Sequence, residues 1–168
     1  MPERVLPNAL RAYRNREWGY SLPRPDVWFE RNLDVDGGHG VIFTPDPEHV
    51  TTAISVEVRD LATEVTADDL PDIEKGFLKG LRSTPGSKLE QHAVFQSPYH
   101  LGVEAQQSFD VDGERGRRWI RVLYSGTLQA RLIAQAGTVE DFDRLRPLFA
   151  PCMTTFLFGD VWPEPLAG

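Results

Sequence analysis

The sequence predicts an α+β domain: one antiparallel sheet of about six to eight strands, with two helices covering it. Three observations carry this. Residues 101–111 and 117–125 are both strand-like, and Asp112-Gly113 between them is suited to a tight reversal. Thr66-Ala67-Asp68-Asp69 and Thr138-Val139-Glu140-Asp141 both open like capped helices, with Thr at the cap and an acid three residues on. The 168 residues carry no internal repeat, low-complexity tract or linker, which points to one compact unit.

Residues 1–12, with Pro2 and Pro7, are expected to form a loose arm, residues 13–158 the single domain, and residues 159–168 a tail. Aromatic and apolar residues over 13–22, broken by Asn15 and Gly19, fit a hairpin or two short strands. Pro23 and Pro25 should interrupt regular structure, because each lacks an N–H donor and biases its predecessor to extended backbone. Trp28 then lands just past the turn, as a core residue. Phe29–Val35 is a weaker strand, ended by Asp36-Gly37-Gly38, and Val41-Ile42-Phe43 a short one that stops at Pro45.

Thr52–Leu61 alternates cleanly, with Ile54, Val56 and Val58 on one side and Ser55, Glu57 and Arg59 on the other, as a half-buried strand does. Behind Thr66, Leu70, Ile73, Phe77 and Leu81 recur at helical spacing until Ser83-Thr84-Pro85-Gly86, giving a helix over about 66–82. Lys88–Gln96, Leu101–Val111, Arg117–Ser125 and Leu128–Ala136 follow as an antiparallel meander. Phe142, Leu145 and Phe149 form the apolar face of a second helix over about 139–150, which Pro147 and Pro151 should kink or stagger. Met153–Phe158 is then a closing strand.

The order of these parts resembles PsbP-like domains. Asn15-Arg16-Glu17-Trp18-Gly19-Tyr20-Ser21-Leu22-Pro23 precedes Trp28, an alternating strand ends Val58-Arg59-Asp60, a Thr-capped helix and a meander follow, and Asp141-Phe142 and Pro147-Leu148-Phe149 lead to Thr155-Phe156-Leu157-Phe158. The superfamily also holds a Ran-binding nuclear import factor and the Eag-class chaperones of type VI secretion, whose Asn-Glu-Gly signature Arg16 and Trp18 interrupt here. The resemblance spans about residues 13–158. It implies a twisted antiparallel sheet with helices packed on both sides, no shared catalytic residues, and the binding of another macromolecule.

Candidate chemistry is sparse. His39 lies near Asp34, Asp36, Asp46, Glu48 and His49 in sequence, the residue types of a divalent-metal site, but at poor spacing. Asp34-Val35-Asp36-Gly37 lacks the further ligands of a calcium loop. Ser125 is outside a nucleophile elbow, and Cys152 follows an apolar helix as a buried small hydrophobe would. His92 and His100 can face each other across a hairpin. The strongest binding signal is Arg115, Arg117, Arg118 and Arg121 around Trp119, since guanidinium groups beside a rigid aromatic suit an interaction hot spot. Arg117, Arg118, Trp119, Arg121 and, in the tail, Trp162 are therefore the expected partner-binding residues, with self-association through this strand's edge as one mode.

The net charge of -7 argues against nucleic acid or an anionic membrane as partner, because both reward clustered positive charge. One cysteine excludes an intramolecular disulfide, and no apolar run reaches the length of a membrane span. The expectation is a non-catalytic protein-binding or chaperone-like module, monomeric or homodimeric, without cofactor or metal, and cytoplasmic as written. An exported accessory or ligand-binding domain is the alternative, and a metal-dependent enzyme the third reading.

Overall fold

A computed structural model of the chain describes residues 10–159. Ten strands and two helices follow in order. Strands β1 (Leu10–Asn15), β2 (Tyr20–Pro25), β3 (Phe29–Leu33), β4 (Gly38–Thr44) and β5 (Ala53–Asp60) come first, then helix α1 (Leu70–Arg82). Strands β6 (Lys88–Gln96), β7 (Leu101–Val111), β8 (Glu114–Ser125) and β9 (Leu128–Ala136) precede helix α2 (Val139–Thr154) and the two-residue β10 (Leu157–Phe158).

The large sheet has seven strands in the order β3-β4-β5-β9-β8-β7-β6, and every neighbouring pair is antiparallel. The β7–β8 hairpin turns at Asp112 and Gly113, with φ of 49° and 82°, so both central residues are left-handed, as a tight primed turn requires. In place of the single sheet expected, β1, β2 and β10 form a second one of three strands, with β2 central. Leu157 pairs with Ser21 and Phe158 with Tyr20, so the last described strand closes onto β2.

The expectation that Pro23 and Pro25 interrupt regular structure is corrected. Strand β2 runs straight through Pro23 and Pro25, which pair with Ala12 and Leu10. The prolines lie two apart and turn the same side of the strand outward, and β10 pairs no further along β2 than Ser21, so no ladder bond there needs their N–H groups. The turn behind them is held by Arg24, which is 3% exposed, donates to the main-chain oxygens of Pro25 and Trp28, and pairs with Glu30 at 3.0 Å. Trp28 is buried against Phe149, as a core tryptophan should be.

Helix α2 likewise continues past Pro147 and Pro151 to Thr154, so Met153 and Thr154 finish a helix rather than start a strand. The hydroxyls of Thr154 and Thr155 donate to the oxygens of Ala150 and Pro151, satisfying carbonyls that the last turn leaves open. Both Thr-capped starts form: the Asp141 N–H donates to Thr138 Oγ1 at 3.0 Å, and the Thr66 N–H donates to Asp69 Oδ2 at 2.8 Å at the head of a single 3-10 turn before α1.

The two helices lie on opposite faces of the large sheet. Phe142, Leu145, Leu148, Phe149, Cys152 and Met153 of α2 pack with Val56, Leu132 and Leu123 into the main core, which the small sheet extends through Tyr20 and Leu22. On the other face Leu81, Phe77 and Ile73 of α1 meet Val103, Ile120 and Val122 in a smaller cluster. Helix α1 lies mainly over β6 and β7 and reaches β8 through Ile120 and Val122, so the β9 and β5 part of that face is less closely covered.

Candidate functional site

The less closely covered part of that face continues as a groove beneath α1. On the helix, Gly76 and Gly80 are four residues apart and therefore share the side that faces the groove. A Cβ built on either glycine meets nothing within 4 Å. With no side chains there to close on the sheet, helix and sheet enclose an open groove of about 460 Å³. Ile73 and Phe77 give its helical wall an apolar lining, and Ile120 and Val122 give it an apolar floor.

Polar groups come from alternate residues of β7, β8, β9 and β5, because the pleat sends every second side chain to this face. Gln107 of β7 is 1% exposed and donates to the main-chain oxygen of Leu81 at 3.3 Å, which fixes its amide. Its Oε1 accepts from Arg118 Nε at 2.6 Å, and the Arg118 guanidinium lies 4.6 Å from the centre of the Phe109 ring. Burial first, then the like charge of Arg131, lowers the pKa of Arg118. Across the floor, Tyr124 accepts from Gln129 Nε2 at 3.1 Å, which leaves its own O–H to donate elsewhere. Arg59 and Glu57 offset each other at 3.9 Å.

The residues expected to bind a partner divide between the two faces. Arg118 lines the groove, whereas Arg117, Trp119 and Arg121 sit on the α2 side. Arg117 donates to both Glu90 oxygens at 2.8 and 2.9 Å and to Asp143 Oδ1 at 2.9 Å. A register shift between Leu89 and Gln91 leaves Glu90 out of the ladder, the device by which a bulge re-aims a side chain. Trp119 Nε1 donates to Glu104 Oε2 at 3.2 Å, and Arg121 Nε stands 3.0 Å from the same oxygen as an ion pair without an aligned hydrogen bond. Strand β8 lies between β9 and β7, so it offers no free edge for self-association. Trp162 lies outside the described residues.

The other candidates have structural partners. His39 Nδ1 is 2.9 Å from the Tyr20 hydroxyl and its Nε2 is 3.2 Å from Asn15 Nδ2, so it links the large sheet to the small one. Among the described residues no three His, Cys, Asp or Glu side chains gather to hold a metal ion. His92 approaches Glu74 of α1 at 3.7 Å, whereas His100 packs on Phe95 at the hairpin end, so the two do not face each other. Cys152 is fully buried.

Sequence reasoning passed over Gln107, Arg131 and the glycine pair. Two signals were available: Arg118 is one step out of phase with Arg117 and Arg121 along a strand, and Gly76 and Gly80 recur at helical spacing inside an otherwise good helix.

Comparison with protein-family models and with curated proteins finds no match. Solved structures do match. The solution structure of cyanobacterial PsbP (CyanoP) from Synechocystis sp. PCC 6803 superposes with a TM-score of 0.69, covering 89% of this chain and 92% of that one at 16% identity. The Ran-binding protein Mog1p of Saccharomyces cerevisiae gives 0.57, covering 89% and 95% at 7% identity. LpqN of Mycobacterium tuberculosis, involved in cell envelope biogenesis, gives 0.56, covering 89% and 91% at 12% identity. The chain has a PsbP-like fold.

Proposed function

We propose that this PsbP-like domain is a non-catalytic binding module that holds a polypeptide segment in the groove between α1 and the large sheet. The observation that carries the reading is the groove itself. Gly76 and Gly80 leave space beside a partly apolar, partly cationic floor where larger residues would fill it. Two glycines inside a helix cost about 1 kcal/mol each relative to alanine, a cost with no packing reason when a Cβ would meet open space. Apolar lining with a few convergent polar groups is the usual make-up of a binding site. The yeast neighbour is a Ran-binding protein, which is in keeping with a protein partner here.

The test is selection of binders from a displayed random-peptide library on the native chain, followed by binding of the selected clones to a Gly76→Leu/Gly80→Leu variant. Clones that bind the native domain and lose the folded variant support the groove. Clones that bind both equally place the site elsewhere.

A further inference from the structure

The arginines of β8 differ in one respect. Arg115 pairs with Asp110 at 2.8 Å, Arg117 with Glu90 and Asp143, and Arg121 with Glu104 at 3.0 Å. Arg118 has no carboxylate partner among the described residues, although the chain carries 25 acidic residues against 18 basic ones. It is nevertheless held in place, since Gln107 takes its Nε and Phe109 lies under its plane. Its Nη groups are left for another acceptor. Arg131, on the same face of neighbouring β9, stands four residues further along the sheet, level with Val122 of β8 and opposite Glu57 of β5, and it too forms no ion pair among the described residues. The two like charges lie along one groove and the charge of Arg131 acts on Arg118, so an anion between them would reverse that cost.

The groove is polar along its length. Gln107 contacts Leu81 at the C-terminal end of α1, which fixes Arg118 at that end. Asp72, the groove's helical carboxylate, lies nine residues earlier, about 14 Å along the helix axis. An acidic group is thus favoured at the Arg118 end. Ile73 and Phe77 offer apolar contact along the wall between.

Resting on the groove reading above, we propose that the occupant is a polypeptide segment whose Asp or Glu carboxylate seats on Arg118 and Arg131, with a neighbouring aliphatic side chain packed against Ile73 and Phe77. A guanidinium whose Nε is already committed presents its two Nη groups as a fixed pair of donors, suited to a carboxylate. The Tyr124 hydroxyl adds a neutral donor on the same floor.

The probe is a rhodamine-labelled peptide Gly-Ser-Leu-Glu-Leu-Ser-Gly, with counterparts carrying Gln or Lys in place of Glu, titrated with the full chain and read by fluorescence anisotropy. The Glu peptide should bind, the Gln and Lys peptides at least about tenfold more weakly, and the affinity should fall as salt rises. Arg118→Gln should weaken the Glu peptide about tenfold or more, and exposed Arg131→Gln several-fold, with thermal unfolding confirming that both variants fold. Equal binding of Glu and Gln peptides, or unchanged binding by both arginine variants, overturns the proposal. If the Gly76→Leu/Gly80→Leu variant then still loses all the peptides, the groove reading stands and only the acidic preference fails. Free glutarate that binds as tightly as the Glu peptide overturns the polypeptide occupant in favour of a small carboxylate.

Discussion

Arg121 Nη1 donates to the main-chain oxygen of Met153 at 2.6 Å, tying an interior strand of the large sheet to the last turn of α2. The same guanidinium covers Phe95 at 4.4 Å and pairs with Glu104, and burial lowers its pKa without removing its charge. Arg121→Gln leaves the Met153 carbonyl unmet and Glu104 without its cation, and should destabilise the fold by about 3 kcal/mol. Glu104→Gln, at a partly exposed carboxylate, should cost less. Urea denaturation of the two variants checks the order, and equal losses would show that Glu104, rather than the carbonyl, is the contact that matters.

Arg121 also shows where sequence stops being informative. The four arginines around Trp119 look alike in one dimension, but the partners that separate them are remote: Glu90 is 27 residues from Arg117, and Met153 is 32 from Arg121. What was legible was local. Strands β6, β7 and β9 fall at their expected bounds because alternation and the Asp112-Gly113 turn are encoded within a few residues. That the opening hairpin and the closing strand form a sheet of their own was not, because it depends on Leu157 and Phe158 meeting Ser21 and Tyr20 from far along the sequence. The groove was half legible, since parity puts Arg118 on its own face, but where α1 comes to rest over the sheet is a matter of packing.

Gly76→Ala and Gly80→Ala should each raise stability by about 0.5–1 kcal/mol, because helix propensity improves and the new methyl meets open space. The same changes narrow the groove. A rise in thermal midpoint accompanied by weaker peptide binding is the expected pairing. A rise with binding unchanged would separate the glycines from the site.

His100 lies against Phe95, with its Nδ1 3.2 Å from Ser97 Oγ, and burial first, then the charge of Arg121, lowers its pKa from the ordinary 6.5. A histidine depressed in the folded state binds fewer protons there than in the unfolded chain. Stability is therefore full above about pH 6.5 and falls as the pH drops from there towards the lower folded value. His100→Asn should remove that part of the slope, read as the difference between the two proteins in urea midpoints measured from pH 7.5 to 5. A constant difference across the range would show that His100 does not contribute to the acid sensitivity.

Cys152 has no exposed surface, and burial pushes its thiol pKa up to about 12, so very little thiolate exists at neutral pH. The thiol packs with Phe149 and Met153 in the core that joins α2 to the sheet. Labelling by a disulfide reagent at pH 8 should be slower in the native protein than in the unfolded chain by at least about a thousandfold, since reaction must wait for the core to open. Small additions of urea should speed it with the same sensitivity as global unfolding. Fast labelling, or labelling indifferent to urea, would mean that the end of α2 opens on its own, and the Arg121 contact to Met153 would then be too weak to hold that turn to the sheet.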